Sequence, residues 1–218
     1  MKRDPTEDEP LLASWYARGT IEFDRINTLT DGVFAIALTL LVFDVEVPDP
    51  VPVSLGDLAG LWQNLLAFGL SFAVILRFWL LHHRFTAIVR ALEPGLILLT
   101  FLMLGLVALV PFTTALLSAA GPVSHAAVVP YLGLLIGIGL VQTLMLARAR
   151  GANAFRWPVG RDVHRFAVGS FLAWVGVVSV ATAVAFVLPP AGIALLILGW
   201  PVEMILSRYA PVGYESMP

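Results

Sequence analysis

Six long apolar segments divide the chain, and the connections between them and the two terminal regions carry most of its charged residues and prolines. The apolar runs are continuous, whereas the strands of a membrane barrel alternate apolar and polar residues, so the pattern predicts helices. Each run is close to the ~20 residues that a helix needs to cross a hydrocarbon core of about 30 Å. The sequence therefore predicts an all-α integral membrane protein whose six transmembrane helices cover residues 25–43, 61–83, 94–117, 128–147, 164–188 and 191–208.

The basic residues predict how these helices are oriented. All thirteen Lys and Arg fall at or near alternate ends of the segments, and the other connections hold none. By the positive-inside rule both termini are cytoplasmic. This divides the chain into a cytoplasmic arm (1–24), a six-helix domain (25–208) and a cytoplasmic tail (209–218). Asn27 and Thr28, near the start of the domain, are the expected caps of the first helix. The basic residues are Lys2, Arg3, Arg18, Arg25, Arg77, Arg84, Arg90, Arg148, Arg150, Arg156, Arg161, Arg165 and Arg208.

Composition narrows the functional classes. A hydrophobic content of 59% leaves too little polar surface for a soluble protein of this length, and the short connections leave no room for a soluble catalytic domain. The chain has no cysteine, which excludes disulfides, thiolate zinc sites and thiol nucleophiles. It also lacks a phosphate-binding loop and an HExxH metal motif. We therefore predict that it is not an enzyme and has no metal, cofactor or nucleic-acid partner.

One acidic residue lies inside the first apolar segment. Asp31 is one to two turns from its start, and an ionisable group at that depth is costly unless it has a partner. The second segment returns to the cytoplasmic side, so its last turns reach the same depth, with Arg77 also within reach. We predict a buried polar cluster that acts either as a structural clamp between the two helices or as a gating or proton-sensing site. Its members are Arg25, Thr30, Asp31, Trp79 and His82, with His83 adjacent.

An apolar stripe follows Asp31 on the same helix. Ile36, Leu40 and Phe43 recur at i, i+4 and i+7, and Thr39 beside them is the mid-membrane hydroxyl of this segment. Such a stripe is typical of a helix face that packs in a core or faces lipid. Periodicity alone does not identify a pore.

Two motifs resemble a known family. Residues 25–41, RINTLTDGVFAIALTLL, resemble the RxxxFSD signature and the following AIxxTLL of the endosomal and lysosomal potassium channel called transmembrane protein 175 and its prokaryotic relatives. In the second helix, Ser71-Phe72 and residues 78–84, FWLLHHR, are similar to the family's SF…W..HHR, and Pro111-Phe112 is a weaker third match. The chain departs from the signature at Leu29, where the family has Phe, and at Thr30, where it has Ser.

The resemblance implies a potassium-permeable channel, of the leak type, in which helix 1 lines the pore. A chain with one six-helix repeat implies a homotetramer in the lipid bilayer, whereas the animal proteins carry two repeats and dimerise. Family members lack a carbonyl filter and use rings of large apolar side chains. Carried onto this chain, those rings are Ile36, Leu40 and Phe43, with Thr39 as a hydroxyl layer that favours potassium. The resemblance also implies a prokaryotic plasma membrane.

Two other functions remain open. A small proton-coupled secondary transporter would use Asp31 and His82 as a proton relay, but the two halves of the chain show no evident repeat. They also show no second carboxylate in a matching position, Glu203 being the nearest candidate. A non-transporting membrane scaffold is the third possibility. Ion flux through purified protein distinguishes the three.

Overall fold

The computed structural model describes residues 16–45 and 61–207, with the backbone alone for Asp44 and residues 200–207. The described chain is helical, and outside its helices it holds two isolated β-bridges. A 3₁₀ turn, Leu41–Asp44, extends the first helix. In chain order the helices are α1 (Ile21–Leu40), α2 (Trp62–Ile88), α3 (Pro94–Ala108), α4 (Val110–Ala120), α5 (His125–Gly151), α6 (Arg161–Ala185) and α7 (Pro189–Ser207).

Five helical spans are long and apolar enough to cross a membrane. They are α1 with its 3₁₀ turn, α2, α3 together with α4, α5 and α6, while the described apolar part of α7, Pro189–Gly199, is shorter. The predicted all-α fold is confirmed. The predictions for most of the arm 1–24, for the outer connection 46–60 and for the tail 209–218 fall outside the described residues.

Helix α1 begins earlier than the sequence predicted. Thr20 caps it, since its hydroxyl accepts a hydrogen bond from the Phe23 backbone N–H at 3.3 Å. Glu22 and Asp24 in the first turn favour the same start, because carboxylates interact well with the positive end of a helix. The predicted caps, Asn27 and Thr28, lie inside the helix.

The third predicted segment is interrupted at Leu109. Pro111 lies in the first turn of α4 and has no N–H to donate to the preceding turn, so the regular ladder of hydrogen bonds stops there. Leu109 instead donates to the carbonyl of Leu106 at 3.1 Å, in the tighter pattern of a 3₁₀ turn. Pro111 is buried, while Phe112 beside it is exposed.

Close helix contacts hold α5, α6 and α7 together. A Cβ on Gly139 of α5 would lie 2.9 Å from a methyl of Val175 in α6, and one on Gly192 of α7 would lie 2.7 Å from the carbonyl oxygen of Ala181. Small residues therefore let these backbones approach as membrane helices commonly do. Helix α1 packs against α2 and α3 at the opposite side of the bundle.

A buried hydroxyl network joins α2, α4 and α5. Ser71 donates to the hydroxyl oxygen of Tyr131 at 3.1 Å, and the Thr114 hydroxyl lies 2.8 Å from that of Ser71. Tyr131 is fully buried. In an apolar interior a polar group without a partner is costly, so this network fixes how the three helices face one another.

Backbone hydrogen bonds link three connections at one end of the bundle, which we call the basic end. Arg18 N–H donates to the carbonyl of Arg90 at 2.7 Å, Arg90 N–H to Ala154 at 2.8 Å, and Arg156 N–H to Ile88 at 3.0 Å. The start of α1, the α2–α3 connection and the α5–α6 connection therefore lie side by side. The described arginines outside the helix interiors gather here, as the alternation along the sequence predicted.

An ion pair at the basic end ties α3 to α5. Arg148 Nε donates to Glu93 Oε1 at 2.6 Å, and a second guanidinium nitrogen donates to Oε2 at 3.1 Å. This hydrogen-bonded guanidinium holds the pKa of the Glu93 carboxyl below its usual range. Because the two hydrogen bonds form a bidentate pair, they fix the orientation of the guanidinium relative to the carboxylate as well as the distance between them.

Candidate pore face and polar cluster

Helix α1 has a packed face and an exposed face. Phe34, Ala37 and Leu41 are buried against the rest of the chain. The stripe predicted from the sequence lies on the other side, with Ile36 59% exposed and Phe43 77% exposed. Leu40 and Thr39 are exposed as well. Four stripe residues on a membrane-spanning helix therefore remain free to contact something outside the single chain.

Thr39 is oriented within this face by its own backbone. Its hydroxyl donates to the carbonyl of Ile36 at 2.9 Å. A hydroxyl has one proton and two lone pairs, so with the proton engaged the oxygen presents acceptor sites outward. That arrangement suits a cation better than an anion.

Leu29 belongs to the exposed face, which sequence reasoning missed. It is 48% exposed and does not pack beneath the polar cluster. It precedes Ile36 by seven residues, which is two helical turns, so both residues lie on one side of α1. This seven-residue spacing is the signal in the sequence that could have placed Leu29 on the exposed face.

Asp31 and Trp79 form the contact at the centre of the predicted cluster. The indole Nε1–H of Trp79 donates to Asp31 Oδ1 at 2.9 Å and links α1 to α2. The Trp79 ring stacks on His83, with centroids 5.3 Å apart and planes 24° apart. Asp31 is exposed in the single chain, so burial of the pair requires a neighbour other than this chain's own helices.

The other α1 members of the predicted cluster do not join this contact. Thr30 is buried, but its hydroxyl donates to the carbonyl of Ile26 at 2.9 Å, one turn back on its own helix. Arg25 is exposed, and within the described residues it has no hydrogen bond or ion pair with Asp31. The sequence predicted one buried network, whereas the structure divides it.

His82 lies in apolar surroundings and outside the Asp31–Trp79 hydrogen bond. Its side chain is 4% exposed and its ring lies 6.4 Å from that of Phe34 and 6.2 Å from that of Phe85. Neither ring nitrogen has a hydrogen-bond partner among the described residues, so no hydrogen bond links His82 to Asp31. This geometry does not favour a direct proton relay between the two.

Arg77 also points away from the cluster. Its guanidinium carbon lies 4.0 Å from the ring centroid of Trp174 on α6, a distance typical of a strong cation–π contact. The prediction that Arg77 reaches the level of Asp31 is therefore replaced by a contact between α2 and α6. Within the described residues no group of three or more His, Asp or Glu side chains is arranged to hold a metal ion.

Comparison with known proteins identifies the family of this helical arrangement. The family model of the endosomal/lysosomal potassium channel TMEM175 matches residues 25–111, the region that contains the stripe and the polar cluster. A Chamaesiphon minutus protein named as a potassium channel is 38% identical over 61% of this chain and 68% of its own length. A Streptomyces collinus protein, also named as a potassium channel, is 34% identical over 66% of this chain and 68% of its own.

A solved structure and an animal relative extend the comparison. The crystal structure of a lysosomal potassium-selective channel TMEM175 homolog from Chamaesiphon minutus superposes with a TM-score of 0.68 and 28% identity, covering 88% of this chain and 99% of that one. A Gallus gallus protein named as an endosomal/lysosomal proton channel is 31% identical over 51% of this chain and 24% of its own length. The long matches to the two bacterial proteins, together with the shared fold, mean that this multi-pass chain belongs to the TMEM175 channel family.

Proposed function

We propose that this protein is a potassium-permeable channel whose pore is lined by α1 from four copies of the chain. The observation that supports this most strongly is the exposed stripe of Ile36, Thr39, Leu40 and Phe43 opposite a packed face of the same helix. Thr39 adds a hydroxyl to this otherwise apolar stripe, which suits a water-filled axis. The bacterial relatives named as potassium channels support potassium as the ion.

The constriction in this proposal consists of stacked apolar rings. Four copies of Ile36, Leu40 and Phe43 around an axis would leave a narrow apolar passage, which excludes ions by dewetting when it narrows slightly. Thr39 adds four hydroxyl oxygens between the rings, each with its proton held by a backbone carbonyl. A dehydrated cation would meet acceptors there and apolar walls elsewhere.

The Asp31–Trp79 hydrogen bond acts as the clamp in this proposal. It connects α1 to α2 on the side of α1 between the packed face and the stripe. Because it fixes the rotation of α1 about its own axis, it keeps the stripe directed at the pore. His83 supports that position by stacking on the Trp79 ring, while Arg25, Thr30 and His82 take no part in the hydrogen bond.

Flux measurement tests the proposal. Purified protein in liposomes is expected to release loaded potassium down its gradient, with and without a proton gradient, and to pass potassium faster than sodium. A pH-sensitive dye in the same vesicles reports whether protons pass, which is relevant because the vertebrate relative is named as a proton channel. Flux that requires a proton gradient would mean a coupled transporter, and the absence of any flux from folded protein would mean a scaffold.

Membrane orientation is a further part of the proposal. We place the basic end and both termini in the cytoplasm of a prokaryotic cell, with the six-helix domain in the plasma membrane. Introduced thiols are free of background because the chain has no cysteine. We expect Ala152→Cys, at the basic end, to react with a membrane-impermeant maleimide only in inverted vesicles, and Val123→Cys, at the other end, only in intact cells. The reverse pattern would contradict the positive-inside assignment.

A further inference from the structure

The junction between α5 and α6 at the basic end is held in a defined position. We use this name for Arg150, the connection 152–160 and the first turn of α6. Its backbone is tied to the α2–α3 connection by the Arg90–Ala154 and Arg156–Ile88 hydrogen bonds. Asn153 adopts a positive φ of 50°, in the left-handed region that Asn tolerates better than most residues. Groups at this junction therefore have stable positions relative to one another.

Helix α6 begins without a side-chain cap. Gly160 precedes its first residue, Arg161, and supplies no side-chain acceptor to the first-turn N–H groups. Uncapped N–H groups and the helix dipole together make this end locally positive. An anion is the ligand that this end of a helix favours.

A buried imidazole in the first turns of α6 supplies the second observation. His164 is only 9% exposed, and its Nδ1 has no hydrogen-bond partner among the described residues. Side chains on a helix lean toward the helix N-terminus, so the ring is directed back toward the uncapped first turn. The edge-on contact with Phe155, at 6.3 Å, holds it in place. A buried ring nitrogen without a partner is costly, and in the tautomer that carries the proton on Nδ1 it can donate to a ligand.

Arg150 adds a charged donor from the last turn of α5. One terminal nitrogen of its guanidinium is buried and has no hydrogen-bond partner among the described residues. The Asn153 N–H donates to the Arg150 carbonyl at 3.1 Å, and Phe155, two residues further on, contacts His164, so this short connection brings both side chains to the junction. Arg161 and Arg165 are exposed on the same turns of α6, and Asp162 is the acidic residue among them. The balance of charge at the junction is positive.

We infer that the α5–α6 junction binds a phosphate-bearing anion through Arg150, His164 and the first N–H groups of α6. A guanidinium presents paired donors that match phosphate oxygens, and basic pockets between membrane helices suit phospholipid headgroups. The phosphate has two sources, the headgroup of an acidic phospholipid in the adjoining leaflet or free inorganic phosphate. Trp157, 38% exposed with the Arg156 guanidinium 5.5 Å from its ring centroid, suits the headgroup level of a bilayer.

Thermal stability of the detergent-purified full chain tests this without any measurement of conduction. One arm titrates dioleoylphosphatidylglycerol against dioleoylglycerol, which has the same acyl chains and no phosphate. A second arm compares sodium phosphate with sodium chloride at equal ionic strength. The wild type is expected to gain Tm with phosphatidylglycerol beyond the effect of dioleoylglycerol. In Arg150→Gln the half-maximal concentration should rise about tenfold, as expected from the loss of one charged contact.

Two further variants keep the result interpretable. His164→Phe preserves a ring against Phe155 and removes the nitrogen, so it should weaken binding as Arg150→Gln does. If Arg150→Gln does not fold, His164→Phe is compared with the wild type in its place. Arg84→Gln, which removes an exposed charge on α2, should respond like the wild type. Stabilisation by inorganic phosphate and not by phosphatidylglycerol, with the same dependence on Arg150, would support the site and identify free phosphate as the source. A wild type that responds to neither anion, or an equal response in Arg150→Gln, His164→Phe and Arg84→Gln, would overturn the inference.

Discussion

Ile36→Asn is expected to raise potassium flux through reconstituted protein about tenfold and to lower the ratio of potassium to sodium flux. Ile36 lies on the exposed face of α1, opposite Phe34 and Ala37, so in the proposed tetramer four amides would enter one ring. Polar groups there stabilise water and lower the dewetting barrier. A tenfold change needs the barrier to fall by only about 1.4 kcal/mol, which is within the effect of one polar group in apolar surroundings.

The matched control for this variant is Val180→Asn. Val180 is β-branched, membrane-spanning and 59% exposed on α6, the same exposed fraction as Ile36. Its substitution should leave the flux and the ion ratio unchanged, because α6 lies outside the proposed pore. A folded Ile36→Asn protein whose flux and ion ratio both match the wild type would remove α1 from the pore. An equal increase in Val180→Asn would indicate nonspecific leakage instead.

The helical spans could be predicted from the sequence because hydrophobic length is a local property. The ends of those spans were harder, since they depend on individual side chains. Thr20 caps the Phe23 N–H, so α1 starts earlier in the chain than predicted. Pro111 interrupts the third segment at Leu109. Both signals are present in the sequence, but hydropathy shows neither of them. The residues that follow Thr20 are largely polar and precede the apolar run, and the apolar run of the third segment continues through Pro111.

The level of a residue along the helix bundle could likewise be predicted, and rotation about each helix axis could not. Asp31 and Trp79 meet because an ascending and a descending helix bring them to one level. His82 follows Trp79 by three residues, so it lies about 4.5 Å further along α2 and about 60° around the helix axis from Trp79. It therefore packs between Phe34 and Phe85 and not against Asp31. Which residue faces which neighbour is decided by tertiary packing, of which a single sequence contains no direct record.

Asp31→Leu is expected to lower the Tm of the detergent-purified protein more than Asp31→Asn does. Asn retains a carbonyl oxygen at the position of Oδ1 and can still accept the indole N–H of Trp79, whereas Leu leaves that donor without an acceptor. An unsatisfied donor costs about 1–3 kcal/mol where water does not reach it. Asp31 is exposed in the single chain, so the size of the loss also reports whether oligomerisation buries the pair.

A double-mutant cycle with Trp79→Phe separates this hydrogen bond from general effects on packing. Trp79→Phe keeps an aromatic ring to stack on His83 and removes the N–H. If the bond clamps α1 to α2, Asp31→Leu in the Trp79→Phe background should cost much less than in the wild type, because no donor is left unpaired. Additive losses would mean that the two side chains act independently. Because the proposed clamp sets the rotation of α1, the Asp31→Leu channel should also lose potassium preference, and Asp31→Asn should keep it.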